Sequence, residues 1–346
     1  MTIESLLVVT GAGASRELGA NRDPMPLMSD WCKNLITRFQ ERGMSQVGEI
    51  LGLIHLDRPE QFEERLGRFL AWQRSLPLAE GLIDLGVPLG GSSVDGRVST
   101  WFRDARMMAD QITELLHDSL FSLFGSSRIS DYACRDAYQG LFSLLDIGPD
   151  TPVAYATTNY DVAGETALAM CGRHPDWGEP HSFNAAQGPI RVRGLASVLS
   201  PYRVPVLHLH GRVGWYVDDA GILVSVNPGS PFQAGIGAPG LLLPDPEKNY
   251  AELPALVEMW EEFDQLIAAA SHTIVIGHSL HDPKLVEHLS RGSNVVVTVY
   301  NEGVTGPDQS AMQHTQNLLP SATVVGMRFG PQPSVDTAAL RNWLND

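Results

Sequence analysis

The sequence has few basic residues, few cysteines and no long apolar run. It contains 24 Lys and Arg against 40 Asp and Glu in 346 residues, a formal net charge of −16. This excess of carboxylate repels phosphate and disfavours a general nucleic-acid-binding protein. The three cysteines, Cys32, Cys134 and Cys171, form no CxxC pair, which disfavours a zinc ribbon and a disulfide framework. We therefore expect a reducing, cytoplasmic setting.

Membrane and targeting signals are also missing. No apolar run approaches the roughly 20 residues that a membrane-spanning helix needs. The first residues, MTIESLLVVTGAG, have no basic region, and their short apolar run is typical of a buried strand rather than a signal peptide. We expect no direct contact with membranes or nucleic acids.

Short apolar runs rich in β-branched residues recur along the chain and predict strands. The runs are continuous rather than alternating, which is typical of parallel strands covered on both faces. Helical patterns separate several of them, so the sequence predicts an α/β fold, doubly wound around a mostly parallel, Rossmann-like sheet. The predicted strands are Ser5–Thr10, Pro152–Thr157, Val204–His210, Gly221–Val226, Thr273–Ile276, Asn294–Tyr300 and Ala322–Phe329.

Residues 21–149 have a different pattern, with few strand signals. Four segments there place apolar residues at helical spacing: Ser29–Gly43, Asp57–Leu76, Arg103–Phe124 and Asp131–Leu145. The sequence thus predicts a helical insertion at 21–149 in a nucleotide-binding domain formed by 1–20 and 150–346.

A glycine-rich turn follows the first predicted strand. The segment TGAGAS at 10–15 leads from a strand into a helix. Gly11 permits a tight turn, Gly13 lets the backbone approach a phosphate, and the amides at the helix start suit a dinucleotide pyrophosphate. The last position of the GxGxxG fingerprint is Arg16 rather than glycine, so an ordinary strand-to-helix turn is the alternative.

Polar side chains end the second predicted strand, in the segment TTNYD at 157–161. Asn159 can donate and accept hydrogen bonds, which suits a ribose hydroxyl or a water molecule, and Asp161 can accept from a carboxamide. The alternative is an Asx turn that caps a helix.

A histidine followed by glycine ends the third predicted strand. His210 is a candidate general base near neutral pH, and Gly211 would leave room for a ligand beside it. A hydrogen-bonded structural histidine is one alternative. A metal pair with His208 is another, but no third ligand has convincing spacing, so we expect no metal.

A second strand–turn–helix unit begins at Gly277, in the segment GHSLHDP at 277–283. Its fifth position is His281 instead of glycine, so the segment is not the nucleophile elbow of a serine hydrolase. Asn301 and Glu302 follow the next predicted strand, and Glu302 lies 302 − 277 = 25 residues after Gly277. Because about 20 residues separate a dinucleotide-binding turn from the residue on the ribose, this unit is suited to the adenosine half of a dinucleotide.

Taken in this order, the segments resemble the sirtuin family, which carries a GAGxS turn, a T-x-N-x-D segment, a catalytic HG, a GxSL-type turn and a later asparagine. The matching positions are Gly11–Ser15, Thr157–Asp161, His210–Gly211, Gly277–Leu280 and Asn301. The chain lacks the GIPDFR-type segment and the four-cysteine zinc module of the deacylases. It is similar instead to the sirtuin-like NAD+ hydrolases of bacterial antiphage defence, in which a helical insertion replaces that module.

This resemblance implies that NAD+ is the substrate and is cleaved to nicotinamide and ADP-ribose, so that NAD+ depletion stops growth before a phage replicates. It implies that His210 is the general base, that Asn159 lies beside the ribose and the attacking water, and that Asp161 lies near the carboxamide. The remaining implied NAD+ contacts are Gly11, Ala12, Gly13, Ser15, Thr157, Gly277, Ser279, Asn301 and Glu302.

An NAD+ hydrolase that is always active would be toxic, so an off state is expected. A homo-oligomer and a separately encoded regulatory protein partner are the expected means. An NAD-dependent protein deacylase and a non-catalytic module that senses NAD+ or ADP-ribose remain alternatives.

Overall fold

The chain forms two compact units. The first comprises Met1–Leu27, Phe124–Leu241 and Tyr250–Asp346, and the second comprises Met28–Leu123 and Leu242–Asn249. The computed structural model describes residues 3–20, 23–50, 59–84, 96–125, 128–176, 190–191, 203–226, 236–244, 248–250, 253–300, 308–335, 340 and 343–344.

All the strands in the described residues belong to the first unit. In chain order they are β1 (Leu6–Thr10), β2 (Val153–Thr157), β3 (His174–Asp176), β4 (Ile190–Arg191), β5 (Arg203–His208), β6 (Gly211–Val217), β7 (Leu223–Ser225), β8 (Ala238–Leu241), β9 (His272–Ile276), β10 (Val295–Val299), β11 (Thr323–Arg328) and β12 (Ser334–Val335).

The main sheet has the strand order β12-β11-β10-β9-β1-β2-β5-β3. Its neighbouring strands are parallel except at the β12 edge, where β12 runs antiparallel to β11. The chain starts at β1, builds outward through β2 and then returns to β9 on the other side of β1. The predicted doubly wound, mostly parallel α/β fold is therefore confirmed.

Ten α-helices lie in the described part of the chain, with a short 3-10 turn (Arg16–Leu18) after the first. They are α1 (Ala12–Ser15), α2 (Met28–Glu41), α3 (Ser45–Ile50), α4 (Pro59–Asp84), α5 (Gly96–Phe124), α6 (Asp131–Leu144), α7 (Ala163–Met170), α8 (Pro254–Ala269), α9 (Pro283–Leu289) and α10 (Gln309–Leu318). None of the described helices is both long and apolar enough to cross a membrane.

Both faces of the main sheet are buried. Successive side chains of a strand point to opposite faces, so alternate residues of β1 report on the two sides. Leu6 and Val8 of β1 share a core with residues of α6 and α7. Leu7 and Val9 point to the other face and are fully buried as well. On that face α8 packs against β5 and α9. Burial on two sides explains why the β1 sequence LLVVT is continuously apolar.

Two predicted strands differ from the observed ones. The predicted strand Gly221–Val226 is β7, which belongs to a small antiparallel sheet of order β4-β7-β6-β8 rather than to the parallel sheet. The predicted strand Val204–His210 ends at His208. Gly211 has a φ of +76° and turns the chain into β6.

The observed units also differ from the predicted insertion at 21–149. Helices α2 to α4 and nearly all of α5 form the second unit, where Trp31 packs edge-on against Phe62 with ring centroids 5.0 Å apart. Helix α6 belongs to the first unit, because its buried side chains, including Cys134, Tyr138 and Leu141, are part of the core beneath the main sheet.

Candidate functional site

Four strands of the main sheet end at the same level. Thr10 at the end of β1 pairs with Thr157 of β2 on one side and with Ile276 of β9 on the other. Thr157 in turn pairs with His208 at the end of β5. The candidate site consists of the loops that leave these four strand ends, which is the edge where open α/β sheets bind ligands.

Asn159 is the centre of a buried hydrogen-bond network. Its Nδ2 donates to the Gly11 carbonyl and to Ser15 Oγ, each at 3.0 Å, and its backbone N–H donates to Thr157 Oγ1 at 3.0 Å. Because a carbonyl only accepts, these bonds fix the orientation of the amide. No donor among the described residues reaches Oδ1 of Asn159. This oxygen is therefore able to accept a hydrogen bond from a ligand or a water molecule.

Asp161 is joined to the same network. Ser15 Oγ, which accepts from Asn159, donates to Asp161 Oδ1 at 3.1 Å, and the Ala163 N–H donates to the same oxygen at 2.9 Å. Burial raises the pKa of Asp161 above its ordinary value, although the Ala163 and Ser15 hydrogen bonds act to lower it. The bond to Ala163 is the Asx turn that the sequence left open. The role of Asp161 at a carboxamide stays a prediction.

The glycine-rich turn after β1 packs directly on the turn after β9. The Gly11 N–H donates to the Ile276 carbonyl at 3.0 Å, and the Gly13 N–H donates to the Gly277 carbonyl at 2.9 Å. A Cβ on Gly13 would lie 3.0 Å from that carbonyl oxygen. The Gly277 backbone thus occupies the side of Gly13 that a Cβ would fill. The predicted NAD+ contacts of these glycines stay predictions.

We expect Gly277→Ala to lower the free energy of unfolding more than Gly172→Ala does. Both glycines have a positive φ, +63° and +75°, and this conformation costs an L-residue about 1–2 kcal/mol. A Cβ on Gly277 would also lie 2.1 Å from the Ala14 nitrogen, whereas one on Gly172 meets nothing within 4 Å. Urea unfolding of the two variants measures the difference. Equal losses would contradict the close packing of the two turns.

His210 lies in the turn after β5, where it is paired with a carboxylate. Its Nε2 is 2.7 Å from Asp282 Oδ2, although 72 residues separate the two in sequence. The Tyr250 hydroxyl donates to the same oxygen at 3.2 Å. The Lys284 ammonium lies 3.9 Å from the centre of the Tyr250 ring, within the range of a cation–π interaction.

The sequence did not assign a role to Asp282. The order Asp282-Pro283 at the start of a helical segment indicates a helix cap, and the structure has Asp282 at the N-cap of α9. No sequence signal showed that its other oxygen reaches His210. A Cβ on Gly211 would lie 2.1 Å from the Gly240 carbonyl oxygen, so glycine is required by this backbone contact. Room for a ligand beside it stays a prediction.

The segments that carry Asn159 and His210 run side by side. The Leu209 N–H donates to the Thr157 carbonyl at 2.9 Å, and further along both segments the Val213 N–H donates to the Tyr160 carbonyl at 2.9 Å. Asn159 and His210 each lie two positions beyond the paired residues that end β2 and β5. The structure therefore brings the two predicted catalytic residues to neighbouring positions at one edge of the sheet.

A buried ionic network lies next to this edge. Nε2 of His208 is 2.5 Å from Glu165 Oε1, and Arg212 Nη1 donates to Glu165 Oε2 at 3.0 Å. Nδ1 of His208 is 3.4 Å from the Asn159 carbonyl oxygen. Burial acts to raise the pKa of Glu165, but the Arg212 guanidinium and His208 outweigh it and hold that pKa below its usual value.

The structure gives His208 and His210, the metal pair that the sequence left open, separate partners. Each is bonded to its own carboxylate, His208 to Glu165 and His210 to Asp282. Within the described ranges, no three His, Cys, Asp or Glu side chains are grouped to hold a metal ion.

The structure describes some of the remaining predicted NAD+ contacts but not others. Thr157 is buried and its hydroxyl donates to the Thr10 carbonyl at 3.2 Å. Ala12 and Ser279 are exposed in the turns after β1 and β9. Asn301 and Glu302 lie outside the described residues, so the adenosine side of the site stays a prediction.

No family model matches the chain, and no curated protein matches it. The likeness to sirtuins therefore rests on the short segments at the strand ends.

Proposed function

We propose that the chain is a sirtuin-like NAD+ glycohydrolase, which cleaves NAD+ to nicotinamide and ADP-ribose. One observation carries the proposal: Asn159, held by the turn after β1, and His210, held by Asp282, leave neighbouring strands at the carboxyl edge of the sheet. Nucleotides bind at this edge in open α/β folds. The resemblance of the segments to sirtuins supplies the reaction class.

In the proposed reaction, the bond between ribose C1′ and the pyridinium nitrogen breaks, and its electron pair neutralises the departing nicotinamide. The leaving group is already cationic, so the site needs no acid to expel it. Positive charge develops on the ribose, and a water molecule adds to C1′. His210 accepts the proton that this water loses.

Asn159 would orient the reactants rather than exchange protons. Its Nδ2 is held by Gly11 and Ser15, so its Oδ1 is fixed as an acceptor for the attacking water or a ribose hydroxyl. A rigid acceptor of this kind promotes reaction by holding the reacting atoms in place before bond breaking begins.

From the resemblance of its segments to sirtuins, we also infer the biological setting. The enzyme acts in the cytoplasm, in antiphage defence, by depleting NAD+. A homo-oligomer and a separately encoded regulatory protein would keep it inactive in uninfected cells. No metal is needed, because water and His210 supply the nucleophile and the base.

Asn159→Ala is expected to reduce nicotinamide release by about 100-fold, the usual cost of losing one positioning group. The measurement is chromatographic quantification of nicotinamide from NAD+, with the chain alone and then with candidate partners and phage-derived activators. Asn317→Ala, on the exposed side of α10, is the matched control and should release nicotinamide at the wild-type rate. Wild-type release from Asn159→Ala would remove the proposed role of this residue.

Two other experimental outcomes would indicate a different function. Nicotinamide release that requires an acyl-lysine peptide would indicate a deacylase. Saturable NAD+ binding in calorimetry, without release under any activating condition, would indicate a sensor module.

A further inference from the structure

We infer that Asp282 is a positioning residue that sets the tautomer of His210, so that Nε2 carries the ring proton and Nδ1 takes up the proton from the attacking water. The catalytic consequence rests on the proposed function. The tautomer is a property of the folded chain and is tested independently of any reaction.

The tautomer follows from the partner of Nε2. Asp282 Oδ2 lies 2.7 Å from that nitrogen, and an ionised carboxylate only accepts hydrogen bonds. A neutral imidazole donates from one nitrogen and has its lone pair on the other. With Nε2–H directed at Asp282, the basic nitrogen of His210 is Nδ1.

Four donors among the described residues hold the carboxylate of Asp282. Its Oδ1 accepts from the backbone N–H groups of Lys284 and Leu285 at 3.0 and 3.4 Å, as the N-cap of α9. Its Oδ2 accepts from His210 and from the Tyr250 hydroxyl at 3.2 Å. Each oxygen thus has at least two partners, which fixes the carboxylate and, through it, the plane of the imidazole.

The loop between β9 and α9 is shaped to bring Asp282 to His210. In the sheet order β9-β1-β2-β5, three strand spacings, about 14 Å, separate the strand before Asp282 from the strand before His210. The side chains of Asp282 and His210 meet across this separation, and Leu280 in the loop has a φ of +58°. That conformation is unfavourable for a non-glycine residue and occurs mainly where surrounding structure enforces it at functional sites.

Contacts within the loop hold this conformation. The Leu280 side chain is buried, and the backbone N–H of Leu280 donates to His278 Nδ1 at 2.8 Å. The strained backbone is therefore anchored at one end by a buried side chain and at the other by the Asp282 cap. This arrangement is expected of a loop that must present one carboxylate accurately.

The test is Asp282→Asn, followed by NMR of the ring nitrogens of ¹⁵N-labelled histidine at a pH where the imidazole is neutral. An asparagine retains an oxygen for the α9 cap, but its amide nitrogen donates to Nε2 instead of accepting from it. We expect His210, assigned by the signal lost in His210→Ala, to be Nε2–H in the wild type and Nδ1–H in Asp282→Asn.

Asp308→Asn is the matched control. Asp308 caps α10 by accepting from the Ser310 and Ala311 N–H groups at 2.9 and 3.1 Å. It undergoes the same chemical change at the same kind of cap, so the His210 tautomer should not change. A wild-type His210 protonated at Nδ1 would overturn the inference, even if Asp282→Asn failed to fold. An unchanged tautomer in Asp282→Asn would overturn it as well.

The activity measurement separates this inference from the proposed function. If the wild type hydrolyses NAD+, Asp282→Asn should release nicotinamide about 100-fold more slowly, within the range for a misplaced base, while Asp308→Asn keeps the wild-type rate. Hydrolysis by Asp282→Asn at the wild-type rate would overturn the catalytic consequence. A tautomer that switches as expected in a chain that never releases nicotinamide supports the positioning role and rejects the hydrolase.

Discussion

His210→Ala is expected to reduce nicotinamide release from NAD+ by about 10²–10⁴-fold, the usual loss when a positioned general base is removed. Without the imidazole, the attacking water must give its proton to solvent. The Asp282 carboxylate does not substitute for it, because both of its oxygens are engaged by other donors. Release is measured under the condition in which the wild type is most active.

The control for this prediction is His314→Ala, which removes an exposed imidazole on α10. It should release nicotinamide at the wild-type rate. His210→Ala also deprives Asp282 of one hydrogen bond, which is expected to cost about 1–3 kcal/mol of unfolding free energy. Circular dichroism checks that the variant is folded at the assay temperature. A folded His210→Ala with wild-type turnover would exclude this histidine as the base.

Glu165→Gln is expected to lower the free energy of unfolding by about 3–5 kcal/mol, the usual cost of removing one partner from a buried ion pair. Glu165, His208 and Arg212 are all almost fully buried. The neutral amide removes the negative charge that Glu165 places beside the Arg212 guanidinium in a region with little access to water. Urea unfolding at neutral pH measures the loss.

Glu287→Gln is the matched control, because Glu287 is bonded to Arg291 at 2.6 Å on the surface of α9, with both side chains about half exposed or more. An exposed pair of this kind contributes about 0–1 kcal/mol. Similar losses for the two variants would contradict the ionic role of Glu165.

The loss of unfolding free energy caused by Glu165→Gln should also depend on pH. The pKa of Glu165 in the folded chain lies below its ordinary value of 4.5, because Arg212 and His208 outweigh the effect of burial. A depressed folded pKa means that the carboxylate stabilises the fold fully above about pH 4.5 and loses this effect as the pH falls through the folded pKa. The stability gap between wild type and Glu165→Gln should therefore narrow in acid. A constant gap would contradict the assignment.

Sequence patterns located the strands of the sheet better than they located the unit boundaries. Continuous apolar runs such as LLVVT mark strands buried on both faces, and these were confirmed. Helical periodicity showed that α6 is amphipathic, but not which core its apolar face joins. The division at 21–149 therefore included a helix that packs beneath the main sheet.

The candidate site also combines residues that the sequence predicted with contacts that it did not predict. The pattern of residues after the strand ends pointed to Asn159 and His210, because residues that follow parallel strands meet at one edge. It did not reveal that Gly11 and Gly13 are needed where two turns touch, since that contact joins residues more than 260 positions apart, from Gly11 to Ile276 and from Gly13 to Gly277.

Local patterns thus account for the parallel sheet and for the polar residues at its carboxyl edge, because burial on two faces and the direction of a strand leave a periodic trace in the chain. The partners of those polar residues have no such trace. Asp282 meets His210 although β1 and β2 separate β9 from β5 in the sheet, and Glu165 of α7 meets His208 of β5 because both elements contribute to the core on one face of the sheet. These pairings depend on strand order and loop path, which arise only when distant segments pack together.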